Sequence, residues 1–362
     1  MKYIDEYRNP DIVHKLAEQI AATVSRKYHI MEICGGQTHA IMKYNLMELL
    51  PPEITLIHGP GCPVCVTPME KIDRALAIAS AEKTILTSFG DMMRVPGSES
   101  DLLTARAEGC DIRIVYSPLD AVDIAIANPD ANVIFFAIGF ETTAPANALA
   151  LLKAAKLKLT NFSLLASPVL VPPAIHAILS AKDTAIDGLL APGHVCAVTG
   201  YEDYINISLK HRIPVAVTGF EPVDIMKGIL ATVSMLENGS IELANCYKRS
   251  VKREGNPHAL KTMYEVFRIC DMEWRGIGYI PGSGLAIREK YSAFDAEKKF
   301  NLSGITRNEA EICIAGAVLR GKSRPSDCPA FSGSCTPENP LGAPMVSSEG
   351  ACAAYYKYSS HR

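Results

Sequence analysis

Short runs of apolar, β-branched residues alternate with amphipathic stretches of helical length between Lys27 and Phe220. This alternation is typical of parallel sheets covered by helices, because a strand that is buried on both faces is apolar throughout. Four runs lie in the first half of this region and four in the second. The predicted strands are His29–Ile33, Ile54–His58, Thr84–Ser88, Ile112–Tyr116, Asn132–Ile138, Phe162–Ala166, Ile186–Leu190 and Pro214–Thr218.

The equal number of strands in the two halves predicts an α/β protein with two similar α/β/α domains, each with a four-stranded, mainly parallel sheet. We place these domains at residues 26–117 and 118–236. The strand pattern then stops and Gly, Pro and Cys become more frequent, so residues 237–362 are predicted to be mostly helix and loop. The helix predicted in residues 1–25 is assigned to this third domain. A cleft between the two α/β domains is a natural binding site.

Composition and charge limit the possible partners and location. With 48% apolar and 21% charged residues, the chain has ample material for several cores. Lys and Arg number 36 against 39 Asp and Glu, so nucleic acid is not an expected partner. Residues 1–10 lack the apolar segment of a signal peptide, and prolines interrupt the apolar stretch Ser163–Leu179. We therefore expect a cytoplasmic protein without membrane insertion, in which eleven cysteines serve metal or redox chemistry rather than a disulfide framework.

The first candidate motif, Cys34–Ala40, follows the first strand and precedes a helix. Ligands collect at the carboxyl ends of parallel strands, and the following helix N-terminus favours a thiolate. Gly35 and Gly36 allow the backbone to come close to whatever Cys34 holds, and His39 lies nearby in the sequence. A buried cysteine that merely packs is the alternative, but the glycines and the histidine favour a functional Cys34.

The second candidate motif, Gly59–Cys65, also follows a strand and precedes a helix. Thr67 is the predicted N-cap of that helix, so Cys62 and Cys65 are expected just before a helix N-terminus, where both thiols ionise more easily. A redox disulfide is favoured over one half of a metal site, because no second Cys or His pair lies close in the sequence.

The third candidate is the set of cysteines after residue 300. Four thiolates are what a 4Fe-4S cluster needs, and the spacings of 14, 6 and 16 residues argue mildly against structural zinc without matching a ferredoxin pattern. The four are Cys313, Cys328, Cys335 and Cys352. Packing in a helix is a further alternative for Cys313. The remaining cysteines have no comparable neighbours, and packing is expected for them.

Three further stretches complete the candidates. Glu141 and His194 follow strands of the second predicted domain and become candidate site residues if they face Cys34 across the cleft. Gly316–Ser323 has the letters of a Walker A motif, but a helix is predicted before it and Pro325 follows it, so we expect a helix C-terminus and no nucleotide site.

Taken together, these residues resemble the HypD proteins of nickel-iron hydrogenase maturation over the whole chain. The resemblance is carried by Cys34–Ala40, Gly59–Cys65, Gly139–Thr143, Pro192–Val195, Cys335–Glu338 and Met345–Gly350. It implies two α/β domains beside a third that holds a 4Fe-4S cluster.

The resemblance also implies a scaffold on which iron receives cyanide and carbon monoxide, with a HypC-type small chaperone and a HypE-type cyanide donor as partners. Cys34 is then the iron ligand, Cys62 and Cys65 the redox thiols, and the four late cysteines the cluster ligands. An iron-sulfur-dependent thiol-disulfide reductase is the alternative from another class, and a zinc-stabilised interaction protein is a third.

Overall fold

The computed structural model describes residues 5–302 and 312–359. Each of the eight predicted strands is present within about two residues of its expected position, as β1 to β8. The described residues contain three further strands, β9 to β11. The strands are β1 (Tyr28–Glu32), β2 (Ile54–His58), β3 (Thr84–Ser88), β4 (Ile112–Ile114), β5 (Asn132–Gly139), β6 (Phe162–Pro168), β7 (Gly188–Pro192), β8 (Val215–Thr218), β9 (Leu243–Asn245), β10 (Phe267–Trp274) and β11 (Gly278–Ile287).

Helices separate most of these strands, as the alternating pattern predicts. Those in the described residues are α1 (Pro10–Thr23), α2 (Gly35–Lys43), α3 (Pro63–Val66), α4 (Met69–Ala79), α5 (Leu102–Ala107), α6 (Pro118–Ala127), α7 (Ala144–Lys156), α8 (Val171–Leu179), α9 (Gly193–Thr199), α10 (Glu202–His211), α11 (Pro222–Glu237), α12 (Pro257–Val266), α13 (Ala296–Lys299), α14 (Ala315–Leu319) and α15 (Ala351–Ser359). None of them is both long and apolar enough to cross a membrane.

Strands β1 to β9 form two parallel sheets, which confirms the α/β class, but the sheets do not follow the predicted division at residue 117. One sheet has the order β2-β1-β7-β8-β9 and the other the order β4-β3-β5-β6. The chain therefore leaves the first sheet after β2, builds the whole second sheet, and returns at β7. The prediction that the first four strands share a sheet is wrong, because strands with similar apolar patterns carry no local mark of their partners. The first sheet also has five strands rather than four.

Helix α1 packs on the first sheet and not on the C-terminal region with which it was grouped. Asn9 caps it, its side chain accepting hydrogen bonds from the amides of Asp11 and Ile12, and Pro10 occupies the first turn. Its apolar face contacts α11, and Val13 and Ile20 share a core with Tyr28 of β1. The amphipathic pattern predicted the helix correctly but could not specify the surface that it covers.

The region after residue 237 contains strands that the sequence did not predict. β9 joins the first sheet, and β10 pairs with β11 as an antiparallel hairpin. Trp274 at the end of β10 is buried, and its indole nitrogen donates to Ser283 Oγ at 2.9 Å. Glycine and proline inside β11 obscured its alternation, so the prediction of a mostly helical region is wrong for this part. Residues 312–359 do contain short helices and turns, and α15 packs against α2.

Candidate functional site

Two parallel neighbours, β1 and β7, bring the first pair of candidate residues together. Cys34 follows β1 by two residues and His194 follows β7 by two, and the two strands are hydrogen-bonded to each other. Cys34 Sγ lies 3.6 Å from His194 Nδ1. The expectation that these residues face each other from different domains is therefore wrong. They meet at the carboxyl edge of a single sheet, where ligands collect in this type of fold.

The loop before Cys62 lies directly on the backbone of Cys34. The amide of Gly35 donates to the carbonyl of Gly61 at 2.8 Å, and a methyl group at Gly61 would overlap the backbone nitrogen and Cα of Cys34. Cys34 itself is the N-cap residue of α2, which begins at Gly35. The two predicted motifs are thus one structural unit, and glycine is required where their backbones touch.

A buried pair, Glu32 and His58, supports Cys34 and was not predicted. These residues end β1 and β2 and are opposite each other in the parallel register. Glu32 Oε2 accepts the amide of Cys34 at 2.8 Å, while Oε1 accepts from His58 Nδ1 at 2.7 Å and from the hydroxyl of Thr38. A charged residue in an otherwise apolar strand end is the signal that could have revealed this pair.

Burial controls the protonation of Cys34 and His194. Burial, with the nearby carboxylates of Glu349 and Glu32, raises the pKa of the Cys34 thiol well above its usual value. Burial lowers the pKa of His194 to about 4. A thiol beside a neutral imidazole is therefore the form near neutral pH, and the expected activation of Cys34 by the helix N-terminus is outweighed by desolvation. A cation bound at Sγ would compensate the charge of the thiolate.

Cys62 and Cys65 are joined by a disulfide bond, with Cα atoms 5.3 Å apart. Cys62 is the N-cap of the one-turn helix α3, and its side chain accepts from the amide of Cys65. The prediction that Thr67 is the N-cap of the following helix is wrong. Its hydroxyl donates back to the carbonyl of Pro63 at 2.8 Å, and α4 starts only at Met69. Only 3% of Cys62 and 1% of Cys65 are exposed, so the disulfide is protected from large reagents.

The chain near Glu349 closes one side of the Cys34 loop. A methyl group at Gly35 would lie 2.5 Å from the carbonyl oxygen of Glu349. His39 Nδ1 donates to the carbonyl of Ser348 at 3.1 Å, and its Nε2 is 3.4 Å from the hydroxyl of Tyr358. Both ring nitrogens of His39 therefore face the C-terminal segment, where the contacts indicate a role in holding that segment in place.

The four late cysteines lie in one region. Cys328, Cys335 and Cys352 belong to a small cluster with Ala330 and Met345. Burial raises the pKa of Cys352, and the electrostatic influence of the other three cysteines raises it further. Cys313 therefore lies within electrostatic range of Cys352.

The described residues contain no set of three or more His, Cys, Asp or Glu side chains arranged around a single ion. This finding is compatible with an iron-sulfur cluster, because each of its irons takes one cysteine. Four thiols gathered in one region are a donor set that fits such a cluster. Cys313 also lines a small cavity together with Cys65, so this region lies beside the disulfide.

Glu141 follows β5, which belongs to the second sheet. Its Oε1 accepts the amide of Val171 at 2.9 Å, whereas Oε2 has no hydrogen-bond partner in the part of the chain that the structure describes. Burial raises the pKa of Glu141 to about 7. Its carboxylate contributes to the raised pKa values of Cys196, Tyr204 and Tyr264, and Cys34 also contributes to that of Tyr204. Glu141 therefore belongs to a buried cluster within electrostatic range of the Cys34 site.

The fold and this site define a class: an α/β protein whose candidate functional groups are cysteine thiols at the carboxyl ends of parallel strands. A HypD family model, described as "Hydrogenase formation hypA family", matches residues 11–359. The hydrogenase maturation factor HypD of Rhizobium leguminosarum bv. viciae is 47% identical over 372 residues, covering 100% of this chain and 97% of that protein.

Two other relatives show the same full-length similarity. HypD of Rhodobacter capsulatus is 45% identical over 374 residues, covering 100% of this chain and 99% of that protein. HypD of Escherichia coli K12 is 43% identical over 366 residues, covering 99% and 98%. The chain belongs to the HypD family of hydrogenase maturation factors, as its motifs indicate.

Proposed function

We propose that this chain is the scaffold on which the iron group of nickel-iron hydrogenases receives its cyanide and carbon monoxide ligands, and that Cys34 holds the iron. The observation that carries this proposal is the position of Cys34 Sγ, 3.6 Å from His194 Nδ1 at the carboxyl edge of the first sheet. Thiolate and imidazole are both ligands that iron accepts in proteins. The iron is the substrate of this site.

The surroundings of Cys34 suit a substrate that arrives with a partner. The thiol is buried and its pKa is raised, so a thiolate forms here only when a cation offsets its charge. Cys34 and one neutral histidine make an incomplete ligand set. Further ligands are proposed to come from a HypC-type chaperone, and the cyanide from a HypE-type donor. Because the ligand set of this chain is incomplete, iron is expected to bind only in a complex with the chaperone.

The Cys62–Cys65 disulfide is proposed as the redox partner of this site. Its reduction to two thiols takes up two electrons and two protons. The disulfide packs beside Cys34 through the loop at Gly61, and it lines a cavity with Cys313. Cys313, Cys328, Cys335 and Cys352 are proposed to hold a 4Fe-4S cluster, which when bound supplies single electrons. Iron and acid-labile sulfide analysis of anaerobically purified protein tests the cluster separately from the iron site.

The decisive experiment for the scaffold is infrared spectroscopy of the complex with the partner chaperone, comparing wild type with Cys34→Ala. We expect the cyanide and carbon monoxide stretching bands to disappear in Cys34→Ala, while cluster iron and sulfide are retained because the sites share no ligand. The control is Cys246→Ala, which removes a half-buried cysteine in another region and should leave the bands unchanged. Bands of wild-type intensity in Cys34→Ala would overturn the assignment.

The alternative is a thiol-disulfide reductase that uses the same cluster. Such an enzyme needs an attacking sulfur that a protein substrate can reach. The exposures of 3% and 1% for Cys62 and Cys65 argue against direct attack on a protein disulfide. Catalytic turnover of a dissociable protein disulfide would favour the reductase, whereas a stable complex that carries iron favours the scaffold.

A further inference from the structure

A row of aromatic rings leads away from the Cys34 thiol on the side of His194. The imidazole of His194 and the ring of Phe220 have centroids 5.0 Å apart and planes inclined by 54°. The rings of Phe220 and Tyr247 meet edge to face, with centroids 6.3 Å apart. Aromatic pairs at such separations attract each other beyond the apolar area that they bury. The function proposed above gives no role to Phe220 or Tyr247.

Each member of this row stands two residues beyond the end of a strand of the first sheet. Cys34 has this position after β1, and His194 has it after β7. Phe220 has it after β8, and Tyr247 has it after β9. These four strands are consecutive neighbours in the sheet order β2-β1-β7-β8-β9. Because neighbouring strands are about 4.8 Å apart, equivalent positions at their ends lie side by side.

A glycine allows Phe220 to come close to Cys34. A methyl group at Gly36 would lie 3.2 Å from Cδ1 of Phe220 and 3.6 Å from Sγ of Cys34. The ring and the thiol therefore flank the same small space over Gly36. Cys34 is only 2% exposed, whereas His194 and Phe220 are half-buried. The two rings thus form the outer layer over the thiol on this side.

Tyr247 is held tightly in the row. A methyl group at Gly193 or at Gly219 would lie 2.6 Å from a ring carbon of Tyr247, and these glycines directly precede the other two rings. The guanidinium carbon of Arg249 lies 4.4 Å from the centroid of the Tyr247 ring. Arg249 is in turn paired with the carboxylate of the buried Asp224. The ring next to Phe220 is therefore fixed from several sides.

His194 depends on this packing for its orientation. Within the described part of the chain, the only hydrogen-bond partner of its ring nitrogens is Sγ of Cys34, at 3.6 Å from Nδ1 and 3.9 Å from Nε2. A histidine that binds a metal is usually oriented by a hydrogen bond from its other nitrogen to a neighbouring group. The contact with Phe220 takes the place of such a hydrogen bond.

We propose that Phe220 is a positioning residue of the Cys34 site. Its ring holds the imidazole of His194 against the thiol and separates the thiol from solvent. The part of this role that concerns iron rests on the scaffold function proposed above. The cover over the thiol is a property of the chain alone, and it can be measured without iron or a partner.

The test is the rate at which iodoacetamide alkylates Cys34 in the full-length, anaerobically purified protein, measured by mass spectrometry of the Cys34 peptide. We expect alkylation to be about tenfold faster or more in Phe220→Ala, because reagent and water reach the thiol and favour the thiolate. Phe220→Leu keeps an apolar side chain over Gly36 and should retain most of the protection. The control is Phe294→Ala, which removes a half-buried phenylalanine that packs on the core of the second sheet.

Cys196 reports whether the variant merely unfolds near the site. It lies on α9, two residues after His194, and is 0% exposed. Removal of a cover should leave Cys196 unlabelled, whereas local unfolding exposes both thiols. A Cys34 rate in Phe220→Ala close to that of wild type would overturn the proposal. Equal acceleration at Cys196, or equal acceleration of Cys34 in Phe294→Ala, would overturn it as well.

A second measurement follows the imidazole itself. In ¹H–¹³C spectra of the histidine rings, with the signal assigned from His194→Gln, the ring current of Phe220 displaces the His194 signals. They should therefore move in Phe220→Ala and in Phe220→Leu, but not in Phe294→Ala. Unchanged His194 signals in both Phe220 variants would show that the two rings are not in contact, and would overturn the proposal.

The role in iron binding is measured on the complex with the partner chaperone. The cyanide and carbon monoxide bands should weaken in Phe220→Ala and recover in Phe220→Leu. Undiminished bands in Phe220→Ala, together with their loss in Cys34→Ala, would overturn the positioning role while the scaffold function stands. Bands that persist in Cys34→Ala, together with fast alkylation of Cys34 in Phe220→Ala, would instead remove the scaffold function and leave the cover.

Discussion

The Cys34 region and the four-cysteine region hold their thiols in different ways. Cys34 lies at the carboxyl ends of two parallel strands, where a buried hydrogen bond fixes its amide and a backbone hydrogen bond fixes the neighbouring loop, and its thiol contacts His194. Cys328 and Cys335 lie in a segment of short turns outside the main sheets and helices, where local hydrogen bonds hold the backbone, such as that from the Cys335 amide to the carbonyl of Ala330.

This difference indicates which site depends on its ligand. A thiol placed by strands keeps its position when nothing is bound, because the sheet supplies the stability. Thiols placed by turns gain much of their order from the group that they bind, because ligand binding contributes directly to folding free energy. The Cys34 region is therefore expected to tolerate loss of the iron proposed for it, and the four-cysteine region to depend on its proposed cluster.

The largest effect is expected from Cys335→Ser or Cys352→Ser. Removal of one of the four proposed ligands should eliminate most of the acid-labile sulfide and make the segment after residue 312 sensitive to limited proteolysis, because few regular elements hold it. Cys246→Ser, a half-buried cysteine in another region, is the control and should keep the wild-type values. Full sulfide content and wild-type protease resistance in both ligand variants would remove the distinction between the two regions.

The next effect concerns the strand-held region. Glu32→Ala removes the acceptor for the Cys34 amide, Thr38 and His58, and we expect a loss of about 3 to 5 kcal/mol in the free energy of unfolding, because a buried pair is broken. Urea denaturation measures it. Glu265→Ala removes an exposed carboxylate with two side-chain partners and should cost less than about 1 kcal/mol. Similar losses in the two variants would show that the buried pair contributes little.

A third prediction uses the pH dependence of Glu141. Its pKa is about 7 in the folded chain against 4.5 for an ordinary glutamate, so the folded state binds the proton more tightly. The resulting stability is complete below pH 4.5 and is lost as pH rises to about 7. Over this range wild type should lose up to about 3 kcal/mol relative to Glu141→Gln. Denaturation curves at pH 5.5 and 8 test this, and the exposed Glu254→Gln should follow wild type. Parallel pH profiles for wild type and Glu141→Gln would contradict the burial argument.

The smallest effect is expected where the two motifs touch. Gly61→Ala places a methyl group against the backbone of Cys34, and we expect a loss of about 1 to 3 kcal/mol in thermal or urea denaturation. The infrared stretching bands of cyanide and carbon monoxide in the partner complex should weaken as well. Gly90→Ala, whose methyl group would lie 3.7 Å from Ile114, is the control and should be almost neutral. A neutral Gly61→Ala would show that the loop and Cys34 move apart easily.

Local patterns were sufficient for most of the elements and for the family. Apolar runs identified all eight strands from β1 to β8, because burial on both faces leaves a local compositional mark. The cysteine motifs at the ends of β1 and β2 were recognised for a similar reason, since strand ends and glycine-rich turns are visible in the sequence. The family follows from those motifs, and the comparisons confirm it.

The pairing of those elements was decided only in the tertiary structure. Nothing within β1 specifies that its neighbours are β2 and β7, because hydrogen bonds between parallel strands use backbone groups that every residue has. His194 reaches Cys34, and Glu141 does not, for this reason alone. Glu32 and His58 remained unnoticed because their partnership exists only where two strand ends lie side by side. The sequence determined which side chains are present at the strand ends, and long-range packing determined which of them meet.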